Sequence, residues 1–282
     1  MKTIYLSDAH LSVTPDGRDA LDAFVAFLRQ MEPSEVARVV VLGDLFDFWF
    51  EYKHVVFSGY FDVLRAFADL REAGVQLHFV CGNHDFWAGP FLEERIGFTV
   101  HRDPVTLDMD GRRVHLAHGD GINPEDWRYR AYKRFARWGG AVRLFRLLHP
   151  DWAMAFAQRV SRGSRRLFSP SGPGKSTEIG PLRAYAERLL AAGEAETVVC
   201  AHSHHPERLE FATPDGTGLY LNTGDWMWHR SYVVSEGGDF RLESAQNAGL
   251  TEPIAGQEAQ SRRTAGIGAC RGVSRRASLR RL

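Results

Sequence analysis

Val39-Val40-Val41-Leu42-Gly43-Asp44-Leu45-Phe46-Asp47 is the stretch that decides how this chain folds. Four apolar residues, three of them β-branched, read as a strand covered on both faces. Gly43 then lets the backbone bend sharply, and two carboxylates follow at once. The same order recurs elsewhere. Thr3-Ile4-Tyr5-Leu6 leads to Asp8-Ala9-His10, and Leu77-His78-Phe79-Val80 to Gly82-Asn83-His84-Asp85. Val114-His115-Leu116 leads to Ala117-His118-Gly119-Asp120, and Thr197-Val198-Val199-Cys200 to Ala201-His202-Ser203-His204. Strand ends of an α/β sheet converge on one edge, and ligands bind in the crevice outside the carboxyl ends. Blocks scattered along the sequence are therefore expected to meet in one site.

Between the blocks, helical spacing appears in Asp19 to Arg29 (Leu21, Phe24, Val25, Leu28) and in Gly59 to Ala73 (Phe61, Leu64, Phe67, Leu70). Alternating strand and helix patterns predict βαβ units and a largely parallel sheet. Asp110-Gly111, between Val105–Met109 and Arg113–Ala117, is a hairpin signal, and Asp215-Gly216 is another. Residues 121–176 differ. Aromatic residues interleave with arginines in two or three helices, broken at Gly139-Gly140 and at His149-Pro150-Asp151. A loop then runs from Ser169 to Ser176. Helical spacing resumes from Pro181 to Ala192, and strands follow at 197–201, 207–212, 217–222, 230–235 and 239–243. Beyond about residue 246 periodicity is lost, and seven arginines follow Glu258 with no acid. Residues 246–282 read as a disordered basic tail.

The 282 residues carry 35 basic and 35 acidic side chains, so no global field favours nucleic acid. Three cysteines make no disulfide framework, which points to a reducing compartment. The first residues turn polar too soon for a signal peptide, and no run of apolar residues is long enough to span a membrane.

Seven donors stand in the blocks: Asp8, His10, Asp44, Asn83, His118, His202 and His204. Asp8 and His10, two residues apart, share one side of an extended chain. The mixed oxygen and nitrogen set lacks thiolate, which suits manganese, iron, zinc or nickel over a sulfur-based structural site. Two ions would clamp a phosphate and activate a water. Taken singly, each of these residues is more often a turn residue or a satisfied histidine. The ordered recurrence at five strand ends carries the argument.

These blocks resemble the calcineurin-like metallophosphoesterase superfamily, over about residues 1–243; Gly-Asn-His-Asp and Gly-Asp-x-x-Asp are its most specific motifs. The resemblance replaces the single parallel sheet by a four-layer α/β/β/α sandwich, with core segments 1–120 and 177–245 and a helical cap at 121–176. It implies that Asp8, His10, Asp44 and His204 hold one ion, and Asp44, Asn83, His118 and His202 the other, with Asp44 bridging. His84 would be the acid or positive charge facing the leaving oxygen, Asp85 would orient His84, and Asp47 would support the site or anchor its loop.

Further features resemble one group of that superfamily, the UDP-2,3-diacylglucosamine pyrophosphatases of lipid A synthesis. They are Tyr5–Leu11, Gly43–Trp49, the aromatic and arginine-rich insertion after His118, and Asn222-Thr223-Gly224-Asp225-Trp226. One branch of that group carries arginine where this chain has His84; another carries histidine. The resemblance implies two divalent ions (manganese, with iron or zinc as alternatives), a lipid-linked sugar-nucleotide substrate, and release of UMP. It also implies substrate contacts by Asp126, Lys175 and Ser176. The expected location is cytoplasmic, peripheral on an anionic inner membrane. Trp127, Phe135, Trp138, Phe145, Trp152 and Phe156 would line an acyl groove or form the cap's own core, and each buried methylene adds about 0.8 kcal/mol. Trp49, Trp87, Trp226 and Trp228 are expected to pack beneath the site. Two rivals stand beside this reading: another phosphoester acted on by the same centre, and a non-catalytic scaffold that binds membrane or partner.

Overall fold

Along Ile4-Tyr5-Leu6 the side chains point alternately into two different apolar layers. Ile4 and Leu6 join one buried cluster and Tyr5 another, as do Val39 and Val41 against Val40. A strand that is apolar on both faces needs cover on both. The computed structural model, which describes residues 1–155, 177–214 and 216–246, supplies that cover in four layers.

The first sheet is built from β1 (Lys2–Leu6), β2 (Val36–Val41), β3 (Gln76–Val80) and β4 (Phe98–His101), with α1 (Arg18–Arg29) and α2 (Phe61–Glu72) as crossovers. The second holds β5 (Val105–Met109), β6 (Arg112–Leu116), β7 (Thr197–Cys200), β8 (Glu207–Thr213) and β9 (Gly216–Asn222). β10 (Ser231–Glu236) and β11 (Asp239–Ser244) return to the first sheet, whose order is β11-β10-β1-β2-β3-β4; the second runs β5-β6-β7-β9-β8.

Leu21, Phe24, Val25, Phe27 and Leu28 of α1 and Val63, Leu64, Phe67 and Leu70 of α2 bury one helical stripe each against the outer face of the first sheet. Truncating the fully buried Phe24 to Ala would cost roughly 3–5 kcal/mol. Val40, Leu42, Val80, Val114, Leu116, Val199 and Leu221 fill the space between the sheets. Behind the second sheet lies α5 (Ile179–Ala191), with Leu182, Ala186, Leu189 and Leu190 on Val198, Cys200 and Tyr220.

The two mixed sheets of the expected four-layer sandwich are both present, in place of the single parallel sheet that the alternation alone suggested. β1 to β4 are parallel, as are β6, β7 and β9, but β10, β11, β5 and β8 pair antiparallel. Short hairpins impose this: Asp110 and Gly111 take φ of 56° and 78°, which fits the twist of a two-residue hairpin. β4 has no counterpart in the periodicity, being four residues long and preceded by a π-turn at Leu92–Ile96. All five blocks follow β1, β2, β3, β6 or β7, so both sheets present their carboxyl ends along one edge.

After the His118 block come α3 (Trp127–Arg137) and α4 (Gly139–Phe145), parted at Trp138, and residues 150–155 are helical. Phe156, Lys175, Ser176, Cys270 and the arginine-rich residues 247–282 lie outside the described residues. Cys81 and Cys200 are buried free thiols. Among the described residues no helix is long and apolar enough to cross a membrane.

Candidate metal centre

The strand-end blocks leave extended geometry abruptly. Asp8, His10, Asp44, His202 and His204 take φ of 49°, 42°, 51°, 68° and 53°. Left-handed backbone at a non-glycine residue is strained and clusters at functional sites. Two glycines make the turns fit. A Cβ on Gly43 (φ +78°) would lie 2.5 Å from Gly82 N, and one on Gly82 would lie 2.2 Å from Asp44 Oδ1. The β2 and β3 blocks thus touch backbone to backbone.

The seven donors converge on two overlapping places. Asp8 Oδ1 lies 3.4 Å from His204 Nε2 and 3.9 Å from His10 Nε2. Asp44 Oδ2 lies 3.8 Å from His10 Nε2 and 3.4 Å from His118 Nε2. His118 Nε2 is also 3.1 Å from Asn83 Oδ1 and 3.2 Å from His202 Nδ1. Asp44 stands between the two groups. His118 Nδ1 donates to the Leu42 carbonyl (2.7 Å) and His84 Nδ1 to that of Asp47 (2.8 Å). A carbonyl only accepts, so these bonds leave both Nε2 atoms facing the centre.

Electrostatics at the centre are dominated by Asp44. Burial works to raise its pKa, but His118, His84 and His10 overrule it and hold the carboxyl well below the usual range. Burial would lower His118, yet Asp44 pushes it up to about 10. Burial and the neighbouring His118 drive His202 down to about 3. A proton on His118 thus offsets the Asp44 charge, a role a cation would take over. Two further observations fit divalent cations. Asp8 Oδ1 is buried with no hydrogen-bond donor among the described residues, and two imidazole nitrogens and an amide oxygen crowd one point. Oxygen and nitrogen donors without thiolate suit manganese, iron or zinc.

Supporting contacts differ in part from expectation. Asp85 does not orient His84. Its carboxylate, fully buried, accepts from Gly82 N (2.8 Å) and Leu45 N (2.9 Å), tying the β2 and β3 blocks together. The ring of His84 is oriented by the main chain of Asp47, whose own side chain is buried. Asp126 is exposed on the residue preceding α3, and its side chain makes no capping bond there. Trp49 and Trp226 are buried, as expected, but Trp228 is 44% exposed, its ring 5.8 Å from that of His204. Phe145 packs against Phe48, Phe50 and Trp87. Trp127, Phe135, Trp138 and Trp152 are all exposed, forming neither a closed groove nor a small core among the described residues.

Several contributors escaped the sequence reading. Ser7 Oγ donates to Asp8 Oδ2 (2.5 Å) and meets Thr223 Oγ1 at 2.7 Å, and Trp226 N donates to Asp8 O. The motif Asn222–Trp226 carried that signal, since it supports Asp8 from behind. Asp120, within a quoted block but given no role, is buried beside His118. The carbonyls of Leu42 and Asp47 leave no trace in residue identity.

Two sheets between helices, with buried carboxylates and imidazoles gathered at their strand ends, define a metal-dependent hydrolase. Residues 1–206 match the calcineurin-like phosphoesterases, and the chain belongs to that family. Relatives named UDP-2,3-diacylglucosamine hydrolase, from Porphyromonas gingivalis and Aeromonas salmonicida, are 30% and 31% identical to it. The alignments cover 87% and 86% of this chain and 98% and 93% of theirs.

Proposed function

We propose that the protein cleaves the diphosphate of UDP-2,3-diacylglucosamine, releasing UMP and 2,3-diacylglucosamine 1-phosphate. One observation carries this reading: a centre of two donor sets sharing Asp44, followed directly in the chain by helices that expose tryptophan and phenylalanine. The names of the relatives, aligned along nearly their whole length, support the same substrate.

Asp8, His10, Asp44 and His204 would hold one divalent ion; Asp44, Asn83, His118 and His202 the other, with manganese as the ion to test first. When bound, such ions polarise phosphoryl oxygens and lower the pKa of water. His84 keeps Nδ1 on the Asp47 carbonyl, so its Nε2 can give a proton or a positive charge to the leaving phosphate oxygen. Asp85 holds the two loops that carry Asp44 and His84. In this reading residues 121–176 form a cap, in which Asp126, Lys175 and Ser176 are candidate substrate contacts. Trp127, Trp138 and Trp152 are exposed, the Arg128 guanidinium lies 5.5 Å over the Trp127 ring, and Arg130 and Arg134 are exposed on the same helix as Trp127, which suits peripheral attachment to anionic membrane on the cytoplasmic side.

The test is UMP release from detergent-dispersed substrate by manganese-loaded protein. The wild type should release UMP stoichiometrically, and His84→Ala should lose roughly 10²–10³ in kcat while keeping its metal. Hydrolysis of small soluble diesters without any UMP would move the reading to another phosphoester. Absence of all hydrolysis would leave the scaffold alternative.

A further inference from the structure

Asp120 belongs to the block after β6, two residues beyond His118, and is only 9% exposed. Its hydrogen bonds lead away from the imidazoles. Oδ2 accepts from Tyr129 Oη (2.5 Å) and Lys133 Nζ (2.5 Å). Tyr129 and Lys133 are four residues apart on α3, so they share one face of it. The proton of His118 Nδ1 goes to Leu42 instead. A second tie holds the far end of α3: Trp87 Nε1 donates to the Ala136 carbonyl at 3.0 Å. Trp87 lies three residues beyond His84. The loops that carry His118 and His84 therefore both hold α3, the first through Asp120 at Tyr129 and Lys133 and through Arg130 on the Asn123 and Pro124 carbonyls, the second at Ala136. Trp127, Tyr132 and Phe135 of the same helix are 63%, 55% and 62% exposed.

We propose that Asp120 is a positioning residue that latches α3, through Lys133 and Tyr129, to the strand-end block carrying His118. The latch sets where the helical segment stands relative to the metal donors, and hence where a long substrate is held while its phosphorus lies at the centre. A buried carboxylate needs such partners, because an uncompensated charge there is costly. Lys133 gives it a charge and Tyr129 a hydroxyl, both from one helix. Small phosphoesters that reach the donors without touching α3 have no use for the latch. Only the substrate part of this inference rests on the reading above; the latch itself does not.

The experiment uses the full-length, manganese-loaded protein and three readouts: hydrogen exchange in residues 127–137, metal content, and kinetics on two substrates. Lys133→Met should speed amide exchange along α3 about tenfold, the loss of a hydrogen bond to a charged group, with two metal equivalents retained. Its KM for the dispersed lipid sugar nucleotide should rise about tenfold, by the same loss, while kcat/KM for bis(p-nitrophenyl) phosphate stays within twofold. Lys133→Arg should restore the wild-type values. The pair Asp120→Asn with Lys133→Met removes both charges, so a folding defect from an unpaired carboxylate is separated from loss of the latch; it should show the same fast exchange. Unchanged exchange in both variants overturns the proposal. So does loss of metal and of diester hydrolysis in Lys133→Met, which would make the pair part of the centre. If the wild type releases no UMP, the substrate reading fails, and the exchange data still decide on the latch.

Discussion

Gly82→Ala tests whether the metal centre depends on two loops packed backbone to backbone. The added Cβ would lie 2.2 Å from Asp44 Oδ1, against the 3.4 Å at which such contact becomes ordinary, so one side must move by about 1.2 Å. It would also lie 2.6 Å from Asp44 N, so rotating the carboxylate cannot relieve the clash. Asp44 is the carboxylate common to both candidate donor sets and the acceptor for His84 N at 2.8 Å. Misplacing such a group by 1 Å costs on the order of 10²-fold in rate, and overpacking a tight site costs typically 1–3 kcal/mol. Gly180→Ala is the control. Among the described residues its Cβ meets nothing within 4 Å other than its chain neighbours, and at the start of α5, before Pro181, it should shift stability by no more than about 0.5 kcal/mol. The assay pairs urea unfolding with bound metal and kcat on a soluble phosphodiester. Gly82→Ala with two bound ions, and with kcat and unfolding midpoint equal to those of Gly180→Ala, would refute the reasoning.

Two further outcomes are expected. Asp44→Asn removes the one charge common to both donor sets, so bound metal, measured after desalting, should fall by at least one equivalent per chain. The pH dependence of apo-protein stability should carry a contribution from His78 on β3. Burial, then His101 and Arg38, lower its pKa from 6.5 to about 4, and its Nδ1 lies 3.2 Å from His101 Nε2. The unfolded chain then binds the extra proton between pH 4 and 6.5, so stability falls as the pH drops through that window. His78→Phe should flatten this part of the urea-midpoint profile; an unchanged slope would assign the effect elsewhere.

Much of the centre is legible before folding because strand and turn chemistry is local. Val39-Val40-Val41-Leu42, three of its residues β-branched, reads as a buried strand, and the glycine before Asp44 reads as its end. Helices α1, α2 and α5 follow from stripes of apolar residues, whose period is a property of the segment itself. β4 was hidden because Phe98-Thr99-Val100-His101 is short and half polar, unlike the all-apolar Val39–Leu42, and its partner lies outside its own segment. The role of Asp85 was misread for a related reason: adjacency to His84 suggested one partner, while the carboxylate binds amides of Gly82 and Leu45.

By itself the sequence picked out seven candidate donors, their order and the strand ends that carry them, since residue identity and short-range periodicity are intrinsic to the chain. Only the tertiary structure decided the strand order of each sheet, with β10 and β11 returning to the edge of the first beside β1. It also decided which imidazole nitrogen faces the centre, that Trp127 and Trp138 stay uncovered, and that Asp120 reaches for α3. These depend on which backbone carbonyls and helix faces arrive beside each side chain, and that juxtaposition is made by sheet pairing across a hundred residues or more, as when Tyr5 is paired with Val233.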